Sequence, residues 1–238
     1  MQYLQLVVGY APFQSAVALT PLIVPIVVIS LIAPRLAERY GLRVVTAPGM
    51  LLIAVGLYLV SRLGVEATYP DFLGPLLAMG AGLGLINRTR DHRHRRGNTP
   101  VEKHGVAAAV NDASREIGAA VGVAIAGSVL AAGYADRIEP ALATVAPPAR
   151  EPISDSLAAA LQVAQHAGPS AEHVADIARA AFVHGNSHAA LALSAITAVS
   201  ALILGIWAPG RPPATTRRRP NTADDVTQCD SSTEQSTR

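Results

Sequence analysis

The chain has 238 residues, of which 50% are hydrophobic and only 15% charged, with a formal net charge of +2 and a mean hydropathy of +0.33. Soluble domains carry about 25% charged residues, so the composition argues against a large soluble core and for a polytopic membrane protein, and so small a net charge gives no ground for nucleic-acid binding. The single cysteine, Cys229, excludes a disulfide framework and a cysteine metal cluster, and the start MQYLQLVV lacks the basic region and the A-x-A site of a signal peptide.

In chain order, Met1 to Tyr10 is apolar but far too short to cross a bilayer, which needs about 20 residues. It reads as the last turns of a helix whose beginning is absent. Ser15 to Pro34 is the first full span, with Pro21 and Pro25 as candidate kinks. Val44 to Ser61 is the second. The third, Phe72 to Ile86, is short and stops at NRTRDHRHRR, Asn87 to Arg96. Thr99-Pro100-Val101-Glu102 has the form of a helix start, with a hydroxyl cap, proline and a glutamate three after the cap. The fourth span is Val106 to Ala132. A loop over 133–187, broken by Pro147, Pro148 and Pro152, is expected to hold two short amphipathic helices, in SDSLAAALQVAQHAG and SAEHVADIARAAFVHG. Ala189 to Ala208 is the fifth span and ends at Trp207, an interfacial anchor type. Residues 209–238, rich in Pro, Thr, Arg, Asp and Ser, read as a disordered tail.

The basic residues alternate with the spans. Segments 35–43, 87–105 and 209–238 hold 14 of the 19 Lys/Arg, whereas 62–71 and 133–187 hold 4. The positive-inside rule places the first set, and with it the C-terminus, in the cytoplasm of an inner-membrane protein whose surroundings are lipid. Setting aside the five arginines of 87–96 leaves 9 against 4, so the orientation does not rest on them.

Chemistry-bearing residues are few. Asn111, Asp112, Arg115 and Glu116 lie in the fourth span, with Asp112 and Arg115 three apart and Asn111 and Arg115 four apart, so they share one side of a helix. Ionisable groups there face a protein interior or a water path. They suit substrate or proton handling, or else an interfacial ion-pair cluster that locks the helix, which is the reading the residues alone favour. Gly118 and Gly122, and likewise Gly80 and Gly84, repeat at four-residue intervals, a spacing that lets membrane helices approach closely. His184 and His188 have no third ligand nearby, so no metal site is expected. No Ser/His/Asp array or phosphate-binding loop is present in the sequence, so neither an enzyme nor a cofactor is expected.

YLQLVVGYAPFQSAVALTPL, APRLAERYGLR and TPVEKHGVAAAVNDASREIGAAVGVAIAGSVLAAGY together resemble the C-terminal half of the major facilitator superfamily, nearest its fourteen-helix bacterial drug:proton antiporters. The resemblance covers residues 1–86 and 97–208, and VNDASREIGAAVG is its most branch-specific piece. ERYGLR resembles a degenerate copy of the family's conformational loop, G-x-x-x-D-R-x-G-R-R: Arg39 and Gly41 stand at its arginine and glycine, Glu38 replaces its aspartate, and Arg43 closes it. The resemblance implies an all-α integral membrane fold of about five transmembrane helices plus a partial N-terminal helix. It also implies proton-driven efflux of amphiphilic drug-like compounds through a cavity between two halves. The N-terminal half, which carries the family's best-known antiporter motif, is missing here, so the chain alone is expected to be inactive. The alternative is a non-transporting membrane polypeptide, either a degraded gene product or an interaction subunit.

Relatives in that family continue the short third helix with small residues and a proline. With GC-rich codons, NRTRDHRHRR read one base later gives T-A-P-A-T-T-A-T-G, the run expected there. A pair of compensating frameshifts over 87–96 is one account of the break; a basic loop after a short tilted helix, able to meet anionic lipid, is the other.

Overall fold

The structure, a computed structural model, describes residues 2–96, 104–143, 145, 147–167 and 172–207, and of residues 42, 87–96, 104, 107 and 108 the backbone alone. The expected helix start at Thr99 and the tail 209–238 lie outside the described residues. Regular structure among the described residues is all helical: a π-helical turn Tyr3–Val7, then α1 Pro12–Ala18, α2 Thr20–Tyr40, α3 Leu42–Ser61, α4 Tyr69–Arg96, α5 His104–Leu142, α6 Pro147–Asp155, α7 Leu157–Ala167 and α8 Glu172–Trp207. Among the described residues five helical segments are long and apolar enough to cross a membrane, so the chain is an all-α, multi-pass membrane protein.

Local chemistry sets several ends. Pro21 has no N–H to continue the ladder, so α1 stops at Ala18 and α2 begins at Thr20. α2 and α3 are joined by one residue, Gly41, with φ 92° and ψ 155°, a conformation open essentially to glycine. α4 opens with a cap in which Asp71 accepts from the Thr68 N–H at 2.8 Å and from the Thr68 hydroxyl at 2.9 Å. α7 opens with the Ser156 hydroxyl accepting from the Ala159 N–H at 3.2 Å.

Some helices run beyond the expected spans. α4 continues ten residues past Ile86 to Arg96, so the backbone there is helix rather than loop. α8 begins at Glu172, inside the expected loop, because no proline interrupts it before Trp207. The region 133–187 is thus mostly helix: the end of α5, the short α6 and α7, and the first turns of α8.

The five long helices pack as a row in the order α2, α4, α3, α8, α5, with a lighter contact between α2 and α3. Small residues bring them close. A Cβ on Gly80 would fall 2.3 Å from the Leu22 carbonyl of α2, and one on Gly84 3.0 Å from the Ile26 carbonyl. On the other side of α4, a Cβ on Gly82 would fall 2.4 Å from the Gly49 carbonyl of α3. α8 runs antiparallel to α3 and is tied to it by two hydroxyls: Ser187 donates to the Ser61 carbonyl at 2.6 Å and Ser194 to the Ala54 carbonyl at 2.8 Å. α5 crosses α8 at Gly133 and Gly185, where a Cβ on Gly185 would lie 2.4 Å from the Leu130 carbonyl.

The best-buried cluster lies at one end of the row. There Tyr134 and Ile138 of α5, Ile153 of α6, Leu157 and Ala160 of α7, and Ala178, Ala181 and Phe182 of α8 pack together, with Tyr3 and Phe72 beside them. The Tyr134 hydroxyl donates to the Ile153 carbonyl at 2.8 Å and pins α6 to α5. We call this end the cap.

Candidate functional site

Both candidate clusters on the long helices lie away from the cap. α5 is about 58 Å long at 1.5 Å per residue, and α8 runs antiparallel beside it. Counted along both helices from the Gly133–Gly185 crossing, Arg115 stands level with Ile203, about one turn inside Trp207. The ionisable cluster therefore sits near the membrane edge opposite the cap, at the end where the α2–α3 turn also lies.

The cluster faces outward from the row. Asp112, Arg115 and Glu116 are exposed and Asn111 is half-buried. Arg115 turns to Glu116 at 3.9 Å rather than to Asp112, and their side chains are 66% and 76% exposed. Among the described residues Asp112 has no ion-pair partner. Ser114 donates to the Val110 carbonyl at 2.7 Å and so spends its hydroxyl on its own helix. A Cβ on Gly118 or Gly122 would meet nothing within 4 Å, in contrast to Gly80 and Gly84, which lie against α2. Val123 on the cluster's own side, and Val106, Val110, Ile117 and Val121 on the opposite side, are exposed as well. Over 112–121 α5 is thus exposed around its whole circumference among the described residues.

At the conformational loop, Gly41 makes the turn and its N–H donates to the Ala37 carbonyl at 3.0 Å. The Arg39 guanidinium lies 5.7 Å from the Tyr40 ring centroid. Glu38 and Arg39 are exposed and Arg43 is half-buried, so the loop offers charge at the surface of that end. His184 and His188 sit ring beside ring, with centroids 4.4 Å apart, both exposed. Among the described residues no three of His, Cys, Asp and Glu come together as a metal site.

Two features were not anticipated from the sequence. The Gly133–Gly185 crossing joins glycines 52 positions apart, and no local spacing announces it. The cap also contains a groove assembled from the N-terminal residues Gln2 and Leu6, the end of α5, α6, the start of α7 and Phe182 of α8. Its only local signal is the pair Glu151 and Asp155, four apart on α6.

No family model matches the chain. The multidrug efflux pump LfrA of Mycolicibacterium smegmatis is 25% identical over 206 residues, which cover 86% of this chain and 40% of that protein. The methyl viologen resistance protein SmvA of Salmonella typhimurium is 30% identical over 210 residues, 87% of this chain and 41% of its own length. The puromycin resistance protein of Streptomyces alboniger is 34% identical over 131 residues. The chain is a partial homologue of major-facilitator multidrug efflux proteins. It spans about two fifths of the length of LfrA and SmvA. These relatives are transporters rather than enzymes, and as a relative of theirs with five membrane-length helices the chain has lipid around it.

Proposed function

We propose that the chain is the C-terminal membrane part of a proton-coupled multidrug efflux transporter, inactive alone and working with a complementary N-terminal half. The observation that carries this reading is the bare stretch 112–121 of α5. Asp112, Arg115 and Glu116 project near the end of a membrane-length helix that is exposed there on every side, its main long neighbour among the described residues being α8, which it meets nearer the cap. A second half laid against that stretch supplies both partners and a water path. The partial coverage of LfrA and SmvA agrees with a missing half.

In this reading the row lies in the inner membrane with its C-terminus in the cytoplasm, as the distribution of Lys and Arg favours. Arg35, Arg39 and Arg43 then lie on the cytoplasmic side and the cap on the outer side. The substrates are amphiphilic drugs, in keeping with the resistance to methyl viologen and puromycin for which two relatives are named. Asn111, Asp112, Arg115 and Glu116 handle the proton or the substrate near the cytoplasmic edge, and the Glu38–Arg43 loop adjusts the packing of α2 and α3 during the cycle. Asp112→Asn in a two-half transporter is predicted to lower drug efflux at equal expression; unchanged efflux removes Asp112 from the mechanism.

The break at Asn87 belongs to the same reading. Compensating frameshifts replaced a small-residue continuation of α4 with the Arg/His run. Sequencing the coding DNA tests both points. An N-terminal half upstream of Met1, in frame or shifted, together with an apolar continuation in the shifted frame of 87–96, supports the reading. A promoter and clean start at Met1 favours an independent membrane polypeptide, and a polar shifted frame removes the frameshift.

A further inference from the structure

The cap groove encloses about 980 Å³, at the upper end of the roughly 300–1,000 Å³ range of small-molecule sites. Its apolar walls are Leu6 of the N-terminal turn, Leu130 and Tyr134 of α5, Leu157 of α7 and Phe182 of α8, and the polar side chains Gln2, Ser154 and Ser156 also line it. Tyr134, Leu157 and Phe182 are buried and form a fixed floor. The Tyr134 hydroxyl is engaged by the Ile153 carbonyl, which anchors the ring in the wall of the groove. Glu151 and Asp155 stand at the exposed rim, one helical turn apart and on the same side of α6. Arg150, the basic residue of α6, is not in the lining; its Nε donates to the Val145 carbonyl at 2.9 Å. The groove therefore combines an apolar floor with a rim whose charge is negative.

We propose that this groove binds an amphiphilic organic cation, its apolar body against Tyr134 and Phe182 and its charge between Glu151 and Asp155. A metal ion finds no third His, Cys, Asp or Glu beside Glu151 and Asp155 among the described residues and leaves the apolar walls uncovered. An acyl chain or an anionic amphiphile does not suit the carboxylate rim. An aromatic or alkyl cation satisfies both, and aromatic faces attract cations as well as burying carbon. The site lies at the opposite end of the row from Asp112 and Glu116, so occupancy here does not depend on those residues or on transport.

The test uses the full chain in neutral phosphatidylcholine nanodiscs, titrated with ethidium, with anilinonaphthalene sulfonate as an apolar anion. The expected result is saturable binding of one ethidium per chain that the anion does not displace. Glu151→Gln with Asp155→Asn should weaken it roughly tenfold. Ala159→Trp, which fills the groove and leaves both carboxylates, should abolish it. Glu172→Gln, an exposed acid of α8 outside the groove, should leave it unchanged. Absence of saturable binding overturns the proposal, as does equal affinity in the carboxylate and groove-filling variants. Displacement by the anion also overturns it, identifying the groove as an acyl-chain or general apolar site. None of these readouts requires efflux, so failure here leaves the transport reading standing, and failure of transport leaves this site standing.

Discussion

Alanine at Gly185 and alanine at Gly118 should change stability in opposite directions, although both replace a glycine in a long membrane helix. At Gly185 the new Cβ lands 2.4 Å from the Leu130 carbonyl oxygen and 3.0 Å from the Tyr134 nitrogen, both backbone atoms of α5. Ordinary carbon contacts lie at about 3.5–4.0 Å, so α5 must retreat by roughly an ångström. Overpacking of this kind costs about 1–3 kcal/mol, and the better helix propensity of alanine returns only about 0.5–1 kcal/mol. The net loss is about 1–2 kcal/mol by the same principles. Among the described residues α5 packs chiefly on α8, so that loss should also loosen the cap. At Gly118 the new Cβ meets nothing within 4 Å, leaving the propensity gain alone. Equilibrium unfolding of the purified chain in mixed micelles, followed by far-ultraviolet circular dichroism, reads both. A Gly185→Ala variant as stable as the parent refutes the crossing geometry. A Gly118→Ala variant destabilised by more than about 1 kcal/mol refutes the bare stretch of α5.

Two further substitutions probe the turn and the cap. Gly41→Ala puts a Cβ on a residue with φ 92° and ψ 155° and is expected to cost about 1–3 kcal/mol, read as a lowered unfolding midpoint. Tyr134→Phe keeps the ring and deletes the 2.8 Å bond to the Ile153 carbonyl; a loss of about 1–3 kcal/mol should appear as faster amide exchange in α6, with α3 and α4 unaffected.

Much of the fold was legible because a bilayer imposes one length and one polarity on every span. The apolar runs located five spans, the third of them short, and among the described residues five helices are long and apolar enough to cross a membrane. Helix ends were less legible, since hydropathy reports what the membrane requires and not where the backbone ladder stops. α8 continues through Glu172 to His188, polar enough to read as a separate helix, because alanine-rich sequence without proline gives no reason to break. α4 carries on beyond Ile86 for the same reason: the sequence from Asn87 to Arg96 holds no proline or glycine to break the helical backbone.

The candidate site was legible only as composition. The Asn111–Glu116 cluster is visible in any reading of the chain, but sequence spacing suggested Arg115 to Asp112, whereas Arg115 lies against its immediate neighbour Glu116. Four-residue glycine spacing records the capacity for close approach and names no partner: Gly80 and Gly84 meet α2, while Gly118 and Gly122 meet open space. The crossing at Gly133 and Gly185 and the cap groove depend on segments distant in sequence, which no local period reveals.

The central claim is that this chain is one part of an efflux transporter whose missing partner lies against α5. The most direct measurement is ethidium efflux from cells expressing the chain alone, and from cells co-expressing it with the N-terminal half of LfrA or SmvA. No efflux is expected from the chain alone, and efflux together with co-purification of the two polypeptides is expected when both are present. Efflux by the chain alone, or no association with either half at full expression of both, would contradict it.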